Sequence, residues 1–382
     1  MKGMAEKDGA LAELLEPLSA ILGSNVRRWK EQGGKVLGYF CSHVPEEIIT
    51  AAGMLPFRMR GTGSTETTLA DTYLSAYNCT FARHCLDLAF SGAYDFLDGV
   101  VIVNGCDHIR RLYDIWRRKM RTPFVHLITA PHTSGDDQVA YFRDELTIFK
   151  EALERQFGVA ITPEKLEESI RVQNETRGLL KELYERRKQS SPPITGADTL
   201  GVVVASTAMP KPAYNELLRL LLSDLDGRTG GSDFRARLLV AGGMLDDPAY
   251  VRVMEDLGGL VVTDSLCFGT REFWNQVSEQ SNDPMDALAR YYLKERIPCA
   301  RMIGEHPRRL QFLREMLKEF KVDGVVLQRL KFCDLWGDEN YLLRRELRES
   351  GVPVLILERE YLLSGQGQLK TRVQAFLESM AR

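Results

Sequence analysis

Cysteine is the residue type with the most chemistry to offer in this 382-residue chain, and six of its seven cysteines share one setting. Each closes an apolar run just ahead of a helix-like pattern. Gly38-Tyr39-Phe40-Cys41 leads into Ser42-His43-Val44-Pro45-Glu46-Glu47, Asn78-Cys79 opens Thr80-Phe81-Ala82-Arg83, and Asn104-Gly105-Cys106 opens Asp107-His108-Ile109. The second half repeats the setting at Cys267 before Phe268-Gly269-Thr270, at Cys299 before Ala300-Arg301-Met302, and at Cys333 before Asp334-Leu335-Trp336. A helix start offers free N–H groups and the positive end of a dipole, which lower a thiol's pKa and favour the thiolate that binds metal. Thiolate ligands in that number point to iron–sulfur chemistry.

Close spacing contributes nothing to this reading. The chain has no C-x-x-C, no H-x-x-x-H among its six histidines, and no C-x₂-C-x₂-C run. Any cluster must be assembled by the fold from cysteines far apart in sequence. Taken singly, each cysteine reads more simply as a small buried hydrophobe, and it is the repeated setting that favours ligation. Cys79, Cys106 and Cys333 are the strongest candidates, with Cys41, Cys267 and Cys299 as a second set of the same local chemistry. Cys85 differs, lying in the stripe Phe81, Cys85, Leu88, Ala89 of a helix face, where core packing is the better reading. Three thiolates leave one iron of a 4Fe-4S cube open, whereas six could hold two cubes or one double assembly, a site suited to reduction.

His43, His84 and His108 each follow a candidate ligand closely, so they could hydrogen-bond to it or deliver protons, or be ordinary half-buried polar residues. Arg110, Arg111, Arg117, Arg118 and Lys119 form a basic helix face, read first as solvated and second as a dock for an acidic partner or a CoA phosphate. The Gly-rich stretches at 227–231 and 365–367 match neither a P-loop nor a dinucleotide fingerprint. If ATP drives the chemistry, another polypeptide hydrolyses it.

The elements that must position these residues alternate. Val36–Phe40, Leu55–Met59, Val100–Val103 and Phe124–Ile128 read as strands separated by helical stretches, which predicts an open, mostly parallel α/β sheet over residues 1–134. Phe142, Leu146, Phe149, Leu153 and Phe157 then recur at helical spacing, and Thr162-Pro163-Glu164 opens a further helix. Leu200–Ala208 has both a strand-like and a helix-like reading within a helical region assigned to 135–228. Alternation returns over 229–382, with strands at Leu238–Ala241, Leu260–Thr263, Gly324–Gln328 and Val352–Leu357. Asp98-Gly99-Val100-Val101 before Cys106-Asp107 is echoed by Asp323-Gly324-Val325-Val326 before Cys333-Asp334, as in an internal duplication. Two α/β halves would then carry cysteines at the carboxyl ends of strands, the edge where open sheets bind ligands.

The totals agree with such a molecule. A hydrophobic share of 44% suffices for more than one core, and a formal charge of −3 gives no case for nucleic acid or an anionic membrane. No apolar stretch is long enough to span a bilayer, and Met1–Lys7 lacks the apolar core of a signal peptide, which points to the cytoplasm and to reduced thiols.

At these same residues the chain resembles the 2-hydroxyacyl-CoA dehydratase D-component and benzoyl-CoA reductase family. The matching stretches are Cys41–Glu47, Tyr77–Arg83, Cys106–Trp116, Asp264–Arg271, Phe332-Cys333-Asp334 and Gly367–Glu378, so the resemblance spans nearly the whole chain. It implies two flavodoxin-like (Rossmann-like) parallel-sheet domains plus a helical region, with an iron–sulfur cluster between the domains. It also implies a separate ATP-hydrolysing iron–sulfur activator that supplies low-potential electrons. Carried over by motif, the core ligands fall on Cys79, Cys106 and Cys333. The surplus of cysteines is closest to the double-cubane cluster branch, a homodimeric group in which Cys41, Cys267 and Cys299 would complete an 8Fe-9S assembly. A heteromeric dehydratase or benzoyl-CoA reductase component with one 4Fe-4S cluster is the competing implication. His43 and His108 would be the histidines beside the ligands.

A chain of this kind should purify brown without oxygen and bleach in air, because an open-faced cluster exposes iron to oxidant. A colourless, iron-free protein after anaerobic cluster reconstitution would contradict the iron–sulfur reading.

Overall fold

The computed structural model describes residues 9–363 and 365–380. The absence of a leader read from Met1–Lys7 concerns residues outside that range. Eight strands form two parallel sheets of four. The first contains β1 (Val36–Tyr39), β2 (Leu55–Arg58), β3 (Gly99–Val103) and β4 (Val125–Ile128) in the order β2-β1-β3-β4. The second contains β5 (Ala236–Gly242), β6 (Gly259–Ser265), β7 (Gly324–Leu330) and β8 (Val354–Arg359) in the order β6-β5-β7-β8. Both are doubly wound in the flavodoxin manner, with the order reversing between the first and third strands of each sheet. All eight strands lie where the apolar runs predict them. The ambiguous stretch from Leu200 is helical, in Gly196–Ala205, and every residue of that helix is buried, with Ala197, Leu200 and Val204 packed on Leu238, Val240 and Val261 of the second sheet.

Strand alternation divides each half into two buried layers. On one side of the first sheet, Leu37, Tyr39, Val101 and Val103 pack with Val139, Phe142, Leu146, Phe149 and Leu153 of the helix Asp136–Phe157. On the other, Val36, Phe57, Val100 and Ile102 pack with Phe81, Cys85, Leu112 and Trp116. Each such side chain contributes about 1.5–3 kcal/mol by leaving water. The helix Pro163–Arg186 spans both cores, with Leu166 and Ile170 in the first and Leu180, Leu183 and Tyr184 beneath the second sheet, where Lys211–Leu225 also packs. The returning stretch around Ala287–Leu293 crosses back onto the first sheet's core, although it follows β6 in sequence. Thr162 caps the helix Pro163–Arg186 through its hydroxyl, as its sequence predicts. Among the described residues, no helix is long and apolar enough to cross a membrane.

The Asp-Gly echo has a structural reason. The Asp98 carboxylate accepts from Val36 N at 2.8 Å, and Asp98 N donates back to Val36 O at 2.9 Å. Asp323 does the same to Arg237, with distances of 2.7 Å and 2.8 Å. Each Asp pins the start of its third strand to the start of the first. The following glycine leaves room where a Cβ would run into Leu37 and Phe124, or into Met380 and Phe376.

Gly242 ends β5 with φ of 141°, and a Cβ there would run into the backbone carbonyl of Gln328 on β7. Gly242→Ala should therefore cost about 3 kcal/mol or more, whereas Gly53→Ala, where φ is 74° and the space is open, should cost only about 1–2 kcal/mol. Urea unfolding of the two variants would check the ordering.

Candidate metal centre

The carboxyl ends of the two sheets meet, and the cysteines lie where they meet. Cys41 follows β1 and Cys106 follows β3, on either side of the first sheet's switch point. Cys79 opens the helix Thr80–Phe90, which lies between β2 and β3 in sequence. From the second half, Cys267 follows β6, Cys333 follows β7, and Cys299 sits in a turn beyond the π-helical turn Tyr291–Glu295. All six line a single cavity of about 130 Å³, walled by Phe40, Phe81, Ile109, Leu330 and Trp336. Cys85 is not among the lining residues and lies fully buried in the core of the first sheet.

Two details of the sequence reading are corrected. Only Cys79, Cys106 and Cys333 are helix N-caps. Cys41, Cys267 and Cys299 lie in loops ahead of helices that start at Glu46, Thr270 and His306. The thiol pKa values are also not lowered on balance. Burial pushes Cys41, Cys79, Cys106 and Cys333 up, Cys106 to about 12, and outweighs the backbone N–H groups of Phe81 and Ala82 at Cys79 and of Ile109 and His108 at Cys106. Neighbouring thiols raise them further: Cys79 acts on Cys106 and Cys333, and Cys299 on Cys41.

Charge around the cavity is strongly one-sided. Arg58 and Arg301 line it, and Arg271 and Arg296 stand behind it, each at most 5% exposed. Arg58 donates to Cys267 O at 2.6 Å and lies 3.7 Å over the Phe268 ring. Arg301 donates to Ala130 O and Pro131 O at 2.9 Å each, and to Gly105 O at 3.4 Å, so it ties the stretch after Cys299 to the loops beyond β3 and β4. Arg271 donates to Ser265 O and Gly242 O, and Arg296 to Arg271 O and Ser42 O. Among the described residues, the only carboxylate in salt-bridge range of any of the four is Glu272, at 3.4 Å from Arg58 and 3.6 Å from Arg296. An ion removed from water costs on the order of several kcal/mol unless opposite charge meets it. Sequence reading missed this shell, although an arginine closing the apolar strand Leu55-Pro56-Phe57-Arg58 and arginines on both sides of Cys299 were visible signals.

The histidines divide. His43 Nδ1 is 3.6 Å from Cys41 Sγ, and burial together with Arg301, Arg296 and Arg271 holds its pKa well below the usual value, so the ring is neutral. His108 bridges the two halves, with Nδ1 3.1 Å from Asn78 Oδ1 and Nε2 2.8 Å from Phe332 O. It thereby connects the residues preceding Cys79 and Cys333, and Phe332 has a left-handed φ of 65°. His84 lies off the cavity, bonded to Ser64 and packed on Tyr361.

Among the described residues, no three His, Cys, Asp or Glu side chains are gathered tightly enough for a single metal ion. An iron–sulfur group asks for something different, since each thiolate binds its own iron around the body of the cluster. Six sulfurs around one apolar-walled cavity, with buried cations behind them, fit such a group.

The architecture is that of a two-sheet α/β protein with a thiol-lined cavity where the sheet ends abut. Residues 41–380 match the family model of the 2-hydroxyglutaryl-CoA dehydratase D-component, and the chain belongs to that family. It is 25% identical over 356 residues to the (R)-phenyllactyl-CoA dehydratase beta subunit of Clostridium sporogenes, covering 93% of this chain and 94% of that one. It is 29% identical over 336 residues to one of the benzoyl-CoA reductase subunits of Thauera aromatica, covering 86% and 87%. With the beta subunit of (R)-2-hydroxyglutaryl-CoA dehydratase from Acidaminococcus fermentans the identity is 24% over 375 residues, covering 97% and 99%.

Replacing His108 with Ala removes the bridge between Asn78 and Phe332 and leaves a half-buried carbonyl unpaired. It should lower stability by about 1–3 kcal/mol in denaturant unfolding. An unchanged midpoint would show that the two halves do not depend on this contact.

Proposed function

We propose that Cys79, Cys106 and Cys333, together with Cys41, Cys267 and Cys299, hold one iron–sulfur assembly of the double-cubane, 8Fe-9S type. In this reading the chain is the substrate-reducing component of an oxygen-sensitive reductase. It works as a homodimer in the cytoplasm and receives low-potential electrons from a separate ATP-hydrolysing iron–sulfur activator. The observation that carries the proposal is the convergence of all six sulfurs on one cavity, three from each half of the chain. When bound, such a group supplies strongly reducing electrons to a small substrate.

The chain's own residues have distinct tasks in this scheme. The six thiols bind, while the aromatic and aliphatic walls exclude water. Arg296 and Arg301 hold the loop after β1 and the turn around Cys299 in register by donating to backbone carbonyls. His43, neutral and with Nδ1 3.6 Å from Cys41 Sγ, orients that thiol. His108 holds the residues preceding Cys79 and Cys333 in place.

A second reading has a specific observation behind it. The relatives named above are dehydratase and benzoyl-CoA reductase subunits, so this chain could serve as one member of such a heteromer, with a single 4Fe-4S cluster on Cys79, Cys106 and Cys333 and a CoA thioester as substrate.

Iron and acid-labile sulfide in anaerobically prepared protein separate the two. About eight iron per chain is expected for the double cluster and about four for a single cube. Cys79→Ala, Cys106→Ala or Cys333→Ala should remove most iron, and Cys85→Ala should leave it nearly unchanged. Cys299→Ala should lower iron content and alter the electronic spectrum. Full iron in Cys41→Ala, Cys267→Ala and Cys299→Ala alike would eliminate the double cluster and leave the single-cube heteromer as the reading.

A further inference from the structure

We propose that Arg58 and Arg301 are the charge-balancing residues of this site: their guanidiniums offset the negative charge of the cysteine-held cluster, raise its reduction potential and strengthen its retention. The proposal rests on the reading that the cysteines hold an iron–sulfur cluster, and it concerns groups that ligate nothing.

The two side chains are buried, line the cysteine cavity, and are held by backbone oxygens. Arg301 has no carboxylate within salt-bridge range among the described residues, and Arg58 reaches only Glu272, at 3.4 Å, which it shares with Arg296. Some buried arginines in this chain face a carboxylate, as Arg177 faces Glu47 at 2.7 Å and Arg309 faces Glu339 at 2.8 Å, while Arg60, Arg187 and Arg237 are held by backbone oxygens like Arg301; what sets Arg58 and Arg301 apart is that they line the cysteine cavity. Carbonyl oxygens accept from all three nitrogens of Arg301 and from Nη1 of Arg58, whose Nε has no partner among the described residues, and these dipoles do not neutralise the charge. A cavity wall carrying buried positive charge and cysteine sulfur, with so little carboxylate, calls for an anionic occupant, and thiolates around a cluster are anionic. Arg58 lies close to Cys267 and Cys41, and Arg301 close to Cys41, Cys299 and Cys106, so between them they face four of the six sulfurs.

The expected consequence follows from charge. Each one-electron reduction adds one negative charge to the cluster and takes one electron from the external reductant, with no bond made or broken at the arginine. In a poorly solvated site a nearby fixed cation favours that added charge more than it would in water. Removing the cation makes reduction harder and moves the potential downward.

The test uses the full-length chain, reconstituted anaerobically and titrated with Ti(III) citrate while the visible and EPR spectra are followed. Arg58→Gln and Arg301→Gln should shift the midpoint potential to more negative values. Arg58→Lys and Arg301→Lys should stay near the parent protein, and the exposed Arg117→Gln should not shift at all. A Gln variant that keeps its iron and its parental potential overturns the proposal. If a Gln variant fails to retain iron, its Lys counterpart decides: iron restored by Lys supports a role for charge, and equal loss in Lys overturns it in favour of carbonyl bonding by the guanidinium fork. A parent protein that binds no iron would refute the cluster reading itself, an outcome distinct from the other two.

Discussion

Everything at the cavity depends on two parallel sheets presenting their carboxyl ends to each other, and buried arginines hold that seam. A strand end exposes carbonyl and N–H groups that the ladder no longer satisfies. Here many of those groups find guanidiniums from the opposite half or from the crossing stretch: Ser42 O from Arg296, Gly105, Ala130 and Pro131 O from Arg301, and Cys267 O from Arg58. Tyr361 adds a second tie, donating through its hydroxyl to Asp246 at 2.7 Å and accepting from Gly61 N at 2.8 Å. The same cations that join the halves thus concentrate positive charge around the thiols, so assembly of the seam and electrostatics of the cavity are one problem.

The two halves solve their local folding problem in the same way. In each, an Asp-Gly pair starts the third strand and ties it to the first, and a Cys-Asp pair opens the helix that follows. This places Cys106 and Cys333 at corresponding positions, one beyond each third strand. The halves differ in what they add. The first contributes Cys41 and Cys79, and the second contributes Cys267 and the long excursion that brings Cys299 back over the first sheet's core. Ala287, Leu288, Tyr291 and Tyr292 anchor that excursion by burying apolar surface against the helix stripe of Phe142 and Leu146. Cys299 is therefore positioned by packing in the half to which it does not belong in sequence.

Membership of the 2-hydroxyglutaryl-CoA dehydratase D-component family, and similarity over most of the chain to dehydratase beta subunits and to a component of a benzoyl-CoA reductase, set the class of chemistry to be considered. Within that class, the number of thiols at the cavity and the excess of buried cation are features of this chain's own residues. They bear on how much negative charge the site is built to hold.

By itself the sequence determined the eight strands, the helical stretch between the sheets, the N-caps at Cys79, Cys106 and Cys333, and the assignment of Cys85 to the core. These follow from periodicity and local capping, which act over a few residues. It also singled out the six cysteines now found together, on the strength of their repeated setting. Three things belonged to the tertiary structure. Burial reversed the expected direction of the thiol pKa values, because desolvation depends on everything packed around a sulfur and not on the helix it precedes. The loop positions of Cys41, Cys267 and Cys299, none of them a helix N-cap, became visible only in the fold. The shell of Arg58, Arg271, Arg296 and Arg301 forms only when distant parts of the chain meet, as Arg58 and Cys267, or Arg296 and Ser42, do across more than two hundred positions. No local rule in the sequence encodes such a meeting, since the hydrogen bonds and charges that define it come from both sides of the seam at once.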